Sequence, residues 1–243
     1  MSTLKNILRD LIYPGLDLHT RNRVSLCRYW KSGPRDVLDA GSGNGYFSWL
    51  AYQSGARVVA MNFEQSQVEK ARDFLIGYRK ADPARLRFEQ CNLYDLDKEQ
   101  RTFDEIICFE VLEHLRHDDK VAQQFYRILR SGGVLHVCCP HKLHSRHQAE
   151  VLDVNETGGH MRQGYTEEDY RQLLEPVGFT IEKVVGIGTP GVYQADRILR
   201  TVRGHAGDVV ALPLLPLALP FVWLARQNPP IPFSLYARAV KKT

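Results

Sequence analysis

Val37-Leu38-Asp39-Ala40-Gly41-Ser42-Gly43-Asn44-Gly45-Tyr46-Phe47 is the stretch on which the reading of this chain turns. An apolar strand ends in an acid, passes through three glycines and enters an amphipathic helix. Open α/β sheets bind ligands at the carboxyl ends of their central parallel strands, so this turn reads as the floor of a cofactor site. Gly41, Gly43 and Gly45, with Ser42 between them, lack the Cβ that forbids positive φ and keeps a ligand off the backbone. Asp39, at the mouth of the turn, is placed to accept hydrogen bonds from a cationic amine. A dinucleotide fingerprint would carry Gly-x-Gly-x-x-Gly with an acid about 20 residues further on. Here the third glycine comes one residue early and the acid precedes the turn, where a pyrophosphate would be repelled.

Outward from that turn, the 243 residues are 44% apolar and 10% aromatic, enough for a sizeable core, with a formal charge of +4 and no long basic tract. Nucleic acid is therefore not an expected partner. Five cysteines, Cys27, Cys91, Cys108, Cys138 and Cys139, show no metal-ligand spacing and read as reduced thiols of a cytoplasmic protein. Met1 to Asp10 is amphipathic and charged, unlike a secretory signal. Met1 to Pro34 reads as helical with a break at Pro14-Gly15, and its polar run presents His19, Arg21 and Arg23 as substrate contacts. Strands are predicted at 57–61, 85–90, 103–109, 133–138, 179–187 and 233–240. Helices are predicted at 46–54, 65–80, 118–130 and 166–176, the last capped by Thr166 with Asp169 three residues on. Such alternation implies βαβ units and a doubly wound, mainly parallel sheet.

The glycine turn with its preceding acid resembles motif I of class I S-adenosylmethionine-dependent methyltransferases. Phe103 to Leu115, containing Phe-Glu-Val-Leu-Glu-His-Leu, looks like that family's fourth-strand motif, and Ile128 to Pro140 like its fifth. The resemblance covers Asp36 to Ile187 plus a final strand. It implies a seven-stranded sheet with a reversed last strand and a donor pocket at the ends of the first four strands. The expected layout is a single domain: an N-terminal cap over 1–34, a donor-binding core over 35–187, an apolar insertion over 188–231 and the last strand over 232–243.

The resemblance implies S-adenosylmethionine as cofactor, its methionyl ammonium near Asp39. Where the family places an acid for the ribose, this chain has Asn62, and Glu64 two residues later points the same way along an extended strand. Where the family places an acid for adenine, it has Asn92, with Leu93 as an apolar wall. Phe109 and Glu110 are expected along the methionyl floor. His114, four residues after Glu110, is a donor-side or base candidate. Past the fifth strand come His141, His144, His147, then Gly158-Gly159-His160-Met161-Arg162-Gln163-Gly164-Tyr165. His141, His160, Arg162 and Tyr165 are expected to wall the acceptor, with His160 the leading base because two glycines allow close approach. His144 and His147 read as a solvated loop; no carboxylate or cysteine sits at a tight ligand interval, and no metal is expected.

Val209 to Leu224 is a continuous apolar run broken by three prolines, too short and too interrupted to span a bilayer. It reads as packing against the N-terminal segment or a second subunit of a homodimer. The sharper alternative is a peripheral membrane surface serving a lipid-linked acceptor. The expected function is methyl transfer to a small-molecule or glycan hydroxyl in bacterial polysaccharide or secondary-metabolite biosynthesis. Nitrogen or carbon acceptors, and a non-catalytic nucleoside-binding protein of the same fold, are the alternatives.

Overall fold

The parallel pairing expected from alternating strands and helices is present among the five strands between residues 36 and 140. The computed structural model describes residues 3–242; Met1 and Ser2, which open the amphipathic Met1–Asp10 segment, lie outside the described residues. In chain order the elements are α1 (Thr3–Ile12), α2 (Leu18–Arg23), β1 (Asp36–Ala40), α3 (Tyr46–Gln53), β2 (Arg57–Asn62), α4 (Gln65–Arg72), β3 (Leu86–Gln90), β4 (Phe103–Phe109), α5 (Asp118–Ile128), β5 (Leu129–Pro140), α6 (Ser145–Gln148), α7 (Glu167–Leu174), β6 (Phe179–Ile187), α8 (Pro190–Ala206), α9 (Asp208–Ala211), α10 (Leu215–Trp223) and β7 (Ser234–Lys241). The sheet has seven strands in the order β3-β2-β1-β4-β5-β7-β6. It is mostly parallel, with one antiparallel hairpin. In the register, Asp39 of β1 lies beside Ala60 of β2 and Ile107 of β4, so the three carboxyl ends finish together. That alignment positions the site.

The chain read as one domain divides into two compact units. One comprises Trp30–Val184 and Leu235–Thr243. Its core gathers Leu38, Ile106, Phe125, Leu135, Tyr170 and Leu235. Strand β4 and the part of β5 from Gly133 onward are buried almost without interruption, as strands covered on both faces are. A buried polar network also crosses this core. The Arg35 guanidinium donates to Glu105 at 2.5 Å, Glu105 meets His136 Nε2 at 2.7 Å, and His136 Nδ1 meets the Tyr236 hydroxyl at 2.7 Å. Burial would raise the Glu105 carboxyl, but its bonds to His136 and Arg35 hold it below the usual range.

The other unit comprises Met1–Tyr29 and Val185–Ser234. Here the apolar run is helical, and Leu16 and Leu18 of the N-terminal segment pack with Val192, Leu199, Leu215 and Ala218. The pattern of 190–206, with its many arginines, was not read as a helix. Thr189 caps it by accepting from the Val192 N–H, and Pro190 opens its first turn. Val209, Leu217, Trp223 and Leu224 of the run remain exposed. No helix among the described residues is long and apolar enough to cross a membrane.

Two local departures have physical causes. The helix predicted over 65–80 is α-helical to Arg72 and continues as a π-helical turn over Asp73–Tyr78, which brings Phe74 and Leu75 fully inside. Strand β5 begins at Leu129, within the predicted helix, pairs there with Phe103, and shifts register before Val134 meets Glu105. Gly133 makes the shift sterically feasible, since a Cβ on it would lie 2.7 Å from the Arg130 carbonyl.

Candidate active site

The three glycines of the turn are required for three different reasons. Gly41 has φ 83°, and a Cβ there would fall 2.2 Å from Val111 Cγ2, so the turn closes directly on the segment after β4. Gly45 has φ 81°, and a Cβ would strike Leu75 and Phe88. Gly43, at φ 51°, has nothing within 4 Å of its Cβ position and opens outward. At Gly41 and Gly45 a side chain would meet packed neighbours, whereas Gly43 leaves its backbone open. The Gly41 and Ser42 N–H groups both donate to the Met61 carbonyl, at 2.9 and 2.8 Å, pinning the turn to the end of β2.

Asp39 is 3% exposed, and its carboxylate accepts from the Ser48 hydroxyl at 2.5 Å, which ties the turn to the first helical turn of α3. Burial pushes its carboxyl up to about 6 against the bonds from Ser48. Asp39 thus also tethers the glycine turn to α3.

At the end of β2, Asn62 Oδ1 accepts from the Glu64 N–H at 2.9 Å, a turn-forming bond that occupies one of its lone pairs. Glu64 stands at the N-cap position of α4, yet its side chain makes no capping bond and is exposed. The carboxylate is thus available to a ribose rather than committed to the helix. Between them Phe63 is 68% exposed, an aromatic that the sequence reading passed over. Asn92 repeats the local pattern: its Oδ1 accepts from the Tyr94 N–H at 3.0 Å and caps the 3-10 turn Leu93–Lys98. Leu93 is buried in the main core. Asn92 keeps its NH2 group for a donor role, where the sequence reading used its oxygen.

Beyond β4 the backbone bends sharply. Phe109 packs edge-on to Phe47, ring centres 4.9 Å apart. Glu110 adopts φ 56°, a left-handed conformation uncommon for a residue with a side chain, and its N–H donates to the Cys138 carbonyl. A 3-10 turn, Leu112–His114, follows. It carries His114 back beside Val111, whose carbonyl accepts from the His114 N–H at 3.0 Å. The glycine turn and His114 thus meet through Val111.

His160 arrives at His114 from a distant segment. The two imidazoles stand edge to face with centres 4.6 Å apart. His114 Nδ1 lies 3.1 Å from the Gly159 carbonyl and His160 Nδ1 lies 3.0 Å from Glu150 Oε2. Both partners only accept, so in the neutral rings each Nδ1 carries the hydrogen and each Nε2 bears the lone pair. Burial is the chief influence that lowers the His114 pKa, holding that ring neutral. Asp153 organises the loop: its carboxylate accepts from the Asn155, Thr157 and Gly159 N–H groups, and its own N–H donates to the His160 carbonyl. Those bonds hold the Asp153 carboxyl down to about 2. Glu113, Glu150 and Asp153 were missed in the sequence; the Asp-Val-Asn-Glu-Thr run is the turn signal that marks Asp153.

Most of the remaining predicted contact residues make bonds within the protein itself. Arg162 donates to Asp118 at 2.5 Å and to the Leu115 carbonyl at 2.8 Å. Tyr165 is 2% exposed, donates to the same carboxylate at 2.6 Å and stacks on Tyr170. Both brace the loop from within. His147 is buried rather than solvated, and His144 caps α6 by accepting from the Arg146 N–H. His141 forms an isolated bridge to Tyr165, and burial lowers its pKa. In the other unit, His19 is buried, stacked on Phe233 and 3.6 Å from Asp196 Oδ2. Arg21 donates to the Ile12 and Gly15 carbonyls, and Arg23 is buried. These three side chains hold their own unit together.

Comparison with known proteins now places this geometry. The family model described as a methyltransferase domain matches residues 18–184. The chain belongs to that family, whose domain is that of the class I S-adenosylmethionine-dependent methyltransferases. It is 28% identical over 176 residues to a protein of Mycolicibacterium smegmatis named a probable S-adenosylmethionine-dependent methyltransferase, covering 72% of this chain and 62% of that one. It is 25% identical over 162 residues to the mitochondrial ubiquinone biosynthesis O-methyltransferase of Mus musculus, covering 62% of this chain and 43% of that one. The matches thus span less than two thirds of these curated relatives. Among solved structures, the [4+2]-cyclase SpnF aligns with a TM-score of 0.66 at 18% identity, over 93% of this chain and 83% of that one. That likeness is one of fold.

Proposed function

We propose that this methyltransferase acts on a hydroxyl of a small-molecule or glycan acceptor held at the His114–His160 pair. The observation that carries the reading is the shared edge: Gly41 closes on Val111, and the same short segment brings His114 against His160. Donor floor and acceptor-side histidines are therefore neighbours at the end of β4. The site fits the donor: Gly43 offers open backbone, Glu64 an exposed carboxylate for the ribose hydroxyls, and Asn92 an amide for adenine. The mouse relative is by name an O-methyltransferase, which supports oxygen as the acceptor atom. A role in bacterial polysaccharide or secondary-metabolite synthesis is the wider proposal.

When bound, S-adenosylmethionine supplies an already activated methyl group. The chain's own task is alignment, which supplies much of the rate in such displacements. With the donor bound, the acceptor oxygen would bond to the methyl carbon while the carbon–sulfur electron pair left with sulfur. His160 Nε2 takes the hydroxyl proton, with Glu150 stabilising the imidazolium through Nδ1.

The experiment is a methyl-transfer screen over hydroxyl, amine and carbon acceptors, followed by single-turnover rates. His160→Ala is expected to slow transfer at least tenfold while donor affinity stays unchanged. Full turnover in that variant removes His160 from the reaction and shifts the proton to His114.

A further inference from the structure

We propose that Glu113, His114 and His160 form a binding site for a divalent transition-metal ion of the zinc class. One ligand-type atom from each lies within 4.8 Å of the other two, and His114 Nε2 is 4.0 Å from Glu113 Oε1. Zinc holds nitrogen and oxygen ligands at about 2.0–2.2 Å, so ligands around one ion stand roughly 3–3.7 Å apart. The two partly exposed imidazoles would close on Glu113 by side-chain rotation to reach that spacing. Glu113 is fully buried, so a carboxylate sits on the inner side of the cluster.

The surroundings of the ring nitrogens point the same way. A metal-bound histidine characteristically donates its second N–H to a carbonyl or a carboxylate, which fixes the tautomer and aims the other nitrogen at the ion. His114 does this with the Gly159 carbonyl and His160 with the Glu150 carboxylate. Both histidines present the same free nitrogen, Nε2. The frame is also tied: the Met161 N–H donates to the Glu113 carbonyl at 2.7 Å, and the Asp153 N–H to the His160 carbonyl at 2.7 Å.

Two imidazoles with one carboxylate select zinc-class ions over magnesium or calcium, which prefer oxygen shells. Three protein ligands leave a fourth position for a small oxygen donor. The consequence for catalysis rests on the proposed function; the binding itself does not. With the ion seated, the histidines act as ligands. The open position would suit an acceptor hydroxyl, whose acidity the ion would raise, and His160 would then serve as a ligand in place of a base.

The test uses the full chain, stripped with a chelator and dialysed, with no donor or acceptor present. Calorimetric titration with zinc is expected to show one equivalent bound at micromolar affinity or tighter, with magnesium at least a hundredfold weaker. Cobalt substitution is expected to give visible bands of a nitrogen–oxygen site. His160→Ala and Glu113→Gln each lose at least tenfold in zinc affinity; Glu150→Ala weakens it less, and His205→Ala leaves it unchanged. His160, being partly exposed, keeps the test readable should Glu113→Gln fail to fold. Absence of stoichiometric zinc binding overturns the proposal. So does a near-ultraviolet thiolate band, which places the ion on cysteine, or undiminished binding in His160→Ala. Transfer that depends on His160 yet proceeds fully in chelator overturns the ion and leaves the base.

Discussion

Gly43 has a left-handed backbone that opens to space rather than to a packing neighbour. Asparagine tolerates that conformation, so Gly43→Asn is expected to fold normally and to lose at least tenfold in S-adenosylmethionine affinity by calorimetry. Unchanged affinity would move the donor off the turn. Glu64→Ala is expected to weaken the same binding by about 1–2 kcal/mol, the range for a hydrogen bond to a charged group. Asp39 makes a prediction about pH. Its folded carboxyl sits at about 6 against an ordinary 3.8, so the stability it allows is fully present below 3.8 and is lost as pH rises through about 6. Asp39→Asn keeps an oxygen for Ser48 without titrating. Its stability is expected to exceed the parent's above pH 7 by up to ~3 kcal/mol, with the difference vanishing near pH 4, in denaturant melts across that window. Parallel curves would contradict it.

At the scale of elements, the loop 153–160 behaves as a built part because one carboxylate gathers three of its N–H groups. Asp153→Ala is expected to slow methyl transfer by freeing His160, while donor affinity and the melting of the sheet stay as they were. A drop in donor affinity instead would mean that the loop supports the donor floor. The Thr166–Asp169 capping box was legible in the sequence and is present, both reciprocal bonds formed. Caps, turns and glycine positions were readable because they rest on bonds within three or four residues. The start of β5 was not, since nothing local distinguishes Leu129 on a helix from Leu129 paired with Phe103. The many-arginine helix α8 was missed for a related reason: its apolar side is defined by Leu16 and Leu18, far away in the chain.

Across the whole molecule, the network of Arg35, Glu105, His136 and Tyr236 links the central strands. Glu105→Ala leaves the Arg35 guanidinium buried without its carboxylate, and such a loss costs about 3–5 kcal/mol. Denaturant unfolding is expected to show that deficit, and a loss under 1 kcal/mol would mean that water replaces the carboxylate. The two units have separate cores, one apolar and built around the α8–α10 helices, the other around the sheet.

The succession of strands and helices, the glycine turn and the family resemblance follow from short-range signals, namely apolar runs, alternating elements and glycines at fixed spacing. Those signals act locally and survive in a linear string. The tertiary structure alone decided how the polar residues are spent. It turned Asp39 inward to Ser48, paired Arg162 and Tyr165 with Asp118, and buried His19 against Phe233. It also joined His114 to a loop 45 residues away, with Glu113 and Glu150 beside the pair. A side chain's role depends on which partner reaches it first, and that partner is chosen by chain closure over tens of residues, which no local pattern encodes.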